Sequence, residues 1–402
     1  MKLHRNLVTG IIRCLREIFA EGRYADKVLE YHFKTNPLWG ARDRRFVAET
    51  TYDIVRWKRL LLHLSGFPEE PEEQSYWAML AAYFIKKDIE LPPWEEFKEI
   101  SVERIRSVLR GEQLLSRDLR ESIPVWLDES GFRELGEQWE KEIHAMNTQA
   151  RAVIRTNTLK ISREELRVKL HDISVETEVP AGSREALVLL GRPNVFSTNL
   201  FKEGLFEMQD TSSQEVAHFL DVQGGQRVID ACAGAGGKTL HLAALMQNRG
   251  KIIALDVEER KLMELKRRAA RAGVSNVEAR HIDSTKTIKR LSATADRLLL
   301  DVPCSGTGVL RRNPDAKWKL SAEYIEKIKA DQHSILETYS GMLKTGGIMV
   351  YATCSIFPSE NENQTGKFLA GHKDSWELLR EKHFFPSGGY DGFYMAALLR
   401  KS

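Results

Sequence analysis

Apolar positions follow two rhythms along this 402-residue chain. In the first third they recur every three to four residues, as in Leu7, Ile11, Ile12, Leu15, Ile18 and Phe19, the spacing of one helix face. The same spacing returns between Phe46 and Trp57, and breakers at Gly66-Phe67-Pro68 and Pro92-Pro93 separate the helix groups. Residues 1–142 are expected to form an all-helical domain. From 143 to 208 the texture shifts to short strands and turns. Val153–Thr158 and Ala186–Leu190 read as strands, and Ser162 is placed to cap a helix running through Leu170. A small α+β subdomain is expected there. From 209 to 402, short β-branched apolar runs alternate with amphipathic stretches. The spacing predicts strands at 227–231, 251–256, 277–282, 296–301 and 347–352, a closing pair near 376–384 and 392–400, and helices at 237–247, 258–272 and 321–343. Such alternation specifies an α/β domain whose mainly parallel sheet is covered on both faces.

Composition narrows the class without deciding it. Apolar residues make up 42% and charged residues 29% of the chain, as in globular proteins with a sizeable core. The uninterrupted apolar runs are far shorter than the ~20 residues of a membrane span, so no membrane partner is expected. The early Leu7-Val8-Thr9-Gly10-Ile11-Ile12 is amphipathic rather than a secretory apolar stretch, which points to a cytoplasmic protein. Four cysteines without a CxxC spacing exclude a zinc ribbon and a thioredoxin-type pair. No metal is expected, and Cys14, within a helical pattern, reads as a core residue. Net charge is only +3, but it is unevenly spread. Residues 1–60 carry 13 Lys/Arg against 7 Asp/Glu, among them Arg42, Arg44, Arg45, Arg56, Lys58 and Arg59, whereas residues 61–142 carry 10 against 19. The basic stretch reads first as a solvated helical surface and second as a source of phosphate contacts.

Chemistry concentrates at the predicted strand ends. The first strand of the α/β domain runs into Asp230-Ala231-Cys232-Ala233-Gly234-Ala235-Gly236-Gly237-Lys238-Thr239. A nucleotide-triphosphatase loop would need glycine where Cys232 stands, although Arg297-Leu298-Leu299-Leu300-Asp301 could imitate the acidic strand of such enzymes. A dinucleotide fingerprint would need its third glycine at Thr239. An S-adenosylmethionine loop fits the spacing. Asp256, ending the second strand, is placed to accept both hydroxyls of a ribose, and Asp283, after the third, to meet an adenine amino group.

Two thiols follow two further strands, Cys304 in Asp301-Val302-Pro303-Cys304-Ser305-Gly306 and Cys354 in Tyr351-Ala352-Thr353-Cys354-Ser355. Carbon 5 of cytosine is a poor nucleophile until a thiolate adds at carbon 6. That route needs a nucleophile, a group serving N3 and a means of expelling the thiol, which Cys354, Asp301 and Cys304 offer.

The stretches Asp-Ala-Cys-Ala-Gly-Ala-Gly-Gly-Lys-Thr, Asp-Val-Pro-Cys-Ser-Gly-Thr-Gly and Ala-Thr-Cys-Ser together resemble the Fmu/Sun family of RNA (cytosine-5) methyltransferases. Phe206–Ser213, Arg311–Asp315 and Asp391–Ala396 add to the likeness, which is strong from about residue 150 onward. It implies a Rossmann-like methyltransferase domain with a seven-stranded sheet, S-adenosylmethionine as cofactor, Cys354 as nucleophile and Cys304 assisting product release. It assigns cofactor contacts to Cys232, Ala233, Gly234, Ala235, Gly236, Gly237, Lys238, Asp256, Asp283 and Asp301. The family's Ala-Pro-Gly is Gly234-Ala235-Gly236 here, which implies a more flexible loop and the same cofactor. Residues 1–142 resemble, less closely, the NusB-like RNA-binding domain of the bacterial small-subunit rRNA member, through Ala25–Leu29 and Arg42–Val47. Residues 143–208 resemble the family's small RNA-recognition-like insert through Arg155-Thr156-Asn157. The expected partner is RNA, most specifically 16S rRNA, bound by a monomer. A target cytosine must leave its stack. Arg311, Arg312, Lys317 and Lys319 could hold flanking phosphates or line a solvated loop, and Trp318 could stack on a base or be buried. A tRNA cytosine-5 methyltransferase would share every catalytic residue, and a non-catalytic ribosome assembly factor would need none of them.

Overall fold

The computed structural model describes residues 3–69, 72–191 and 193–401, which fall into two compact units. One comprises the residues up to Thr148 together with Leu310–Ala322, and the other Gln149–Val309 together with the residues from Glu323 onward.

The first unit is helical. Its opening helix Arg5–Phe19 buries Leu7, Val8, Ile11, Ile12, Cys14, Leu15 and Ile18, so the amphipathic stripe and the core cysteine lie where the periodicity puts them. The helix Glu73–Lys86 is buried almost all round and carries no such stripe. Two members of the early basic cluster are not solvated. Arg56 pairs with Asp53 (2.8 Å) and donates to the Arg311 carbonyl (3.0 Å). Arg59 pairs with Glu69 (2.7 Å) and with Asp118, and donates to the Ile123 carbonyl (2.8 Å). A buried guanidinium is tolerated when its donors are matched, and here they tie helices together.

The second unit holds two sheets. Strands β1 (Ala152–Thr156), β2 (Thr177–Glu178), β3 (Ala186–Leu189) and β4 (Phe206–Met208) form an antiparallel sheet in the order β2-β3-β1-β4. Ser162 caps the helix Arg163–Asp172 through a capping box with Glu165. Strands β5 (Arg227–Asp230), β6 (Lys251–Asp256), β7 (Val277–His281), β8 (Ala295–Asp301), β9 (Leu343–Thr353), β10 (Trp376–Phe384) and β11 (Phe393–Arg400) form a Rossmann-like sheet in the order β10-β11-β9-β8-β5-β6-β7. β5 to β9 pair in parallel, and β11 pairs antiparallel with β9 and β10. The continuous apolar runs have a direct cause. Leu298, Leu300, Met349 and Tyr351 enter the core on one face, and Leu299, Val350 and Ala352 the core on the other. Among the described residues no helix is long and apolar enough to cross a membrane.

Where the small sheet meets the helices Thr211–Phe219 and Gly237–Leu245, Glu185, His218 and His241 converge within 4.8 Å. His218 Nε2 lies 2.9 Å from the Glu185 carboxylate, while neither ring nitrogen of His241 has a partner in hydrogen-bond range. Burial, then the Arg155 guanidinium and His218, hold the His241 pKa well below its ordinary 6.5. The folded state accepts the neutral ring, so the unfolded chain takes up the proton first. Stability is full above about pH 6.5 and falls below it by up to ~1.4 kcal/mol per pH unit for this one group. Urea unfolding between pH 5 and 7.5 is expected to show that slope and to lose it in His241→Gln. Equal slopes in the two proteins would remove His241 as its source.

Candidate functional site

Because β5 to β9 run in parallel, their carboxyl ends share one rim, and the strand order reverses direction between β8 and β5. Ligands bind at such switch points. Across the rim the side chains appear in a fixed sequence: Asp283 beyond β7, Asp256 ending β6, the glycine loop after β5, Asp301 and Cys304 at β8, and Cys354 after β9.

The glycine loop bends on two left-handed residues, Gly234 (φ +54°) and Gly236 (φ +86°). A Cβ on Gly236 would lie 2.6 Å from Leu265, so glycine is required there. A Cβ on Gly234 would meet nothing within 4 Å, so that side of the loop faces open space. Gly234 N donates to Asp256 Oδ2 and Glu258 N to Asp256 Oδ1, both at 2.8 Å. The carboxylate is thereby fixed in orientation, with a lone pair left on each oxygen. The Ala235 carbonyl accepts from Arg268 (2.8 Å), itself held by Glu207. The Gly237 carbonyl accepts from the buried Arg155 (2.7 Å). Arg155 and Asn157, which carry the likeness to an RNA-recognition insert, are thus used inside the protein. Asn157 bridges the carbonyls of Gly204 and Ala272.

Charge is concentrated behind the loop. Lys238 Nζ pairs with Asp301 Oδ2 at 2.6 Å. Asp230, accepting a hydrogen bond from Thr239 (2.7 Å), is pushed up to about 7 by burial, with Asp301 and Asp256 adding to the rise. Burial and the same three carboxylates raise the Cys232 thiol well above its ordinary value, so it keeps its proton. Asp283 is exposed, and hydrogen bonds from Thr287 and Ser284 to its Oδ1 lower its pKa.

At the other end of the rim, Cys304 Sγ and Cys354 Sγ stand 3.3 Å apart, both as free thiols. The hydrogen bond to Cys354, then burial, raise the pKa of Cys304 well above the ordinary value. Cys304 therefore keeps its proton, and either sulfur can donate across the 3.3 Å contact. Their loops are knitted by backbone contact. Gly308 N donates to the Cys354 carbonyl (2.9 Å) and Gly392 N to the Gly308 carbonyl (2.8 Å). A Cβ on Gly308 would fall 2.4 Å from the Gly392 carbonyl oxygen, so no side chain fits there.

Residues 217–399 match the model of the 16S rRNA methyltransferase RsmB/F family, and residues 123–196 that of an RsmF/B-like ferredoxin-like domain. A probable ribosomal RNA small subunit methyltransferase B from Synechocystis sp. is 31% identical, over 90% of this chain and 88% of its own length. The ribosomal RNA small subunit methyltransferase B of Serratia proteamaculans is 34% identical, over 72% of this chain and 70% of its own. The chain belongs to the RsmB/F methyltransferase family. Among solved structures, PH0851 matches over the full length of both chains (TM-score 0.83, 25% identity). A methyltransferase homolog protein from Pyrococcus horikoshii matches 72% of this chain and 99% of its own (TM-score 0.64, 30% identity).

In this RsmB/F-family protein the basic segment after the Cys304 loop belongs with the N-terminal helices, not with the rim. Lys317 is buried, and burial with the nearby Arg56 charge drives its pKa well below the usual lysine range. Arg311 is buried too, and Lys319 is held by the Arg23 carbonyl (2.9 Å) and Asp315 (2.5 Å). Trp318 packs on the helical core and donates to the Val55 carbonyl at 2.7 Å. For Lys317 the interior position excludes the phosphate-holding alternative, and for Trp318 the buried reading holds. Sequence reasoning also passed over Glu360, whose buried carboxylate reaches both cysteine loops. Its only signal was proximity, six residues beyond Cys354.

Proposed function

We propose that this protein transfers a methyl group from S-adenosylmethionine to carbon 5 of a cytosine in small-subunit rRNA. The observation that carries the reading is the pair of free thiols at 3.3 Å, on the same rim as a glycine loop backed by an oriented aspartate. Two thiols are one more than a simple nucleophilic site requires. The names of the relatives support rRNA as the substrate.

The open side of Gly234, the lone pairs left on Asp256 and the exposed Asp283 fit a nucleoside-bearing cofactor lying over β5, β6 and β7. When bound there, S-adenosylmethionine supplies an electrophilic methyl on a sulfonium. The cytosine, turned out of its stack, would then lie over β8 and β9. Cys354 Sγ adds to carbon 6, which makes carbon 5 an enamine carbon able to take the methyl. Asp301, held by Lys238, serves the ring at N3. A solvent water takes the carbon 5 proton as the C6–S bond breaks, and Cys354 leaves as the thiolate, to which the Cys304 thiol donates a hydrogen bond. The helical unit and the small sheet assist in holding RNA.

Bisulfite sequencing of RNA from cells lacking the protein, set beside the parent strain, tests the reading. Loss of one protected cytosine in small-subunit rRNA is the expected result. Loss in tRNA would overturn the substrate, and no change in any RNA would overturn the reaction in favour of an assembly factor.

A further inference from the structure

Glu360 is a charged side chain in the interior, in the single turn Pro358–Glu360, with no measurable exposure. Every group that meets its carboxylate is a donor. Ser305 N (2.8 Å) and Gln332 Nε2 (3.0 Å) donate to Oε2, and the hydroxyls of Ser305 (2.5 Å) and Ser355 (2.6 Å) donate to Oε1. Ser305 follows Cys304 and Ser355 follows Cys354 in the chain. Gln332 also donates to the Pro303 carbonyl (3.0 Å), on the other side of Cys304. One carboxylate thus grips both cysteine loops. Burying a carboxylate is costly unless its acceptor sites are used, and here two donors reach each oxygen.

We propose that Glu360 is a positioning residue that sets the separation of the Cys304 and Cys354 sulfurs for the reaction. The inference rests on the thiol mechanism above for its catalytic consequence, but not for its geometry. It acts through the two serine contacts and touches neither substrate nor cofactor. A one-carbon retreat of the carboxylate, ~1.5 Å, leaves the charge and withdraws it from one loop or the other, so Glu360→Asp separates position from charge.

The test reads the sulfurs directly. Diamide takes two electrons and the two thiol protons from a cysteine pair and leaves one S–S bond, which requires the sulfurs to close from 3.3 Å to about 2.05 Å. The rate of the Cys304–Cys354 link, followed by peptide mass, is compared in the full-length wild type, Glu360→Asp and Glu360→Ala, with thermal melts to establish folding. If Glu360→Ala does not fold, Glu360→Asp decides. Closure is expected to slow about tenfold or more. The kcat on a small-subunit rRNA transcript is expected to drop about 100-fold, with the KM for S-adenosylmethionine within about twofold, as a misplacement on the order of 1 Å produces. Closure at the wild-type rate in a folded variant would overturn the proposal, as would slowed closure with a normal kcat. Failure of the thiol mechanism shows separately, as turnover by Cys354→Ala, and leaves the closure rates readable.

Discussion

Cys354→Ala is expected to abolish methyl transfer to small-subunit rRNA, by a factor of about 10³ or more, while the protein stays folded. Removing the atom that makes the covalent bond removes the whole route, not a share of it. Cys354 is half-buried at the end of β9, with its sulfur against Cys304 and only partial contact with the core, so an alanine leaves little cavity. Transfer of labelled methyl from S-adenosylmethionine to an rRNA transcript measures it, with the thermal melt as control. Activity near wild type would take the nucleophile role from Cys354.

Cys304→Ala is expected to do the opposite to the intermediate. Attack by Cys354 needs no help from a thiol that holds its own proton, so addition and methylation proceed. Release is where the Cys304 hydrogen bond is used, as the ring expels sulfur. The variant should accumulate RNA linked to Cys354, visible as a denaturant-resistant band that requires S-adenosylmethionine, with multiple turnover lost. Absence of that band, or steady turnover without it, would undo the division of labour between the two sulfurs. The hydrogen bond to Cys354 and burial raise the Cys304 thiol, which makes it a poor attacker.

Much of this was legible from the chain alone, for reasons that differ by element. Strands β5, β6, β8 and β9 announce themselves because both faces are buried, so Leu298-Leu299-Leu300 and Ile348-Met349-Val350 have no polar alternation to blur them. Their strand-end residues follow from the parallel topology, which puts every carboxyl end on one rim. The short strands β2 and β4 carried too few residues for a period to show. Buried charge was the larger blind spot. Arg56, Arg59 and Lys317 read as surface from sequence, and Glu360 drew no reading, because charged residues seldom go inside unpaired, and their partners are distant in sequence. Arg59 finds Asp118, Lys317 finds Asn147, and Glu360 finds Ser305. Periodicity reports local faces; it carries no information about a partner 55 or 170 residues away.

The segment Leu310–Ala322 completes the helical unit late in synthesis. On the ribosome the first 148 residues emerge early, yet the helical unit lacks Trp318 and Lys317 until residue 322 has been added. Eight of the eleven strands are made in the interval. At ordinary synthesis rates of ~5–20 residues per second that wait is roughly 10–35 s. The N-terminal helices must pass it with an unfilled seam, so the helical unit cannot mature before those strands are made. The loop leading away from Cys304 is the thread that finally closes the other unit's core.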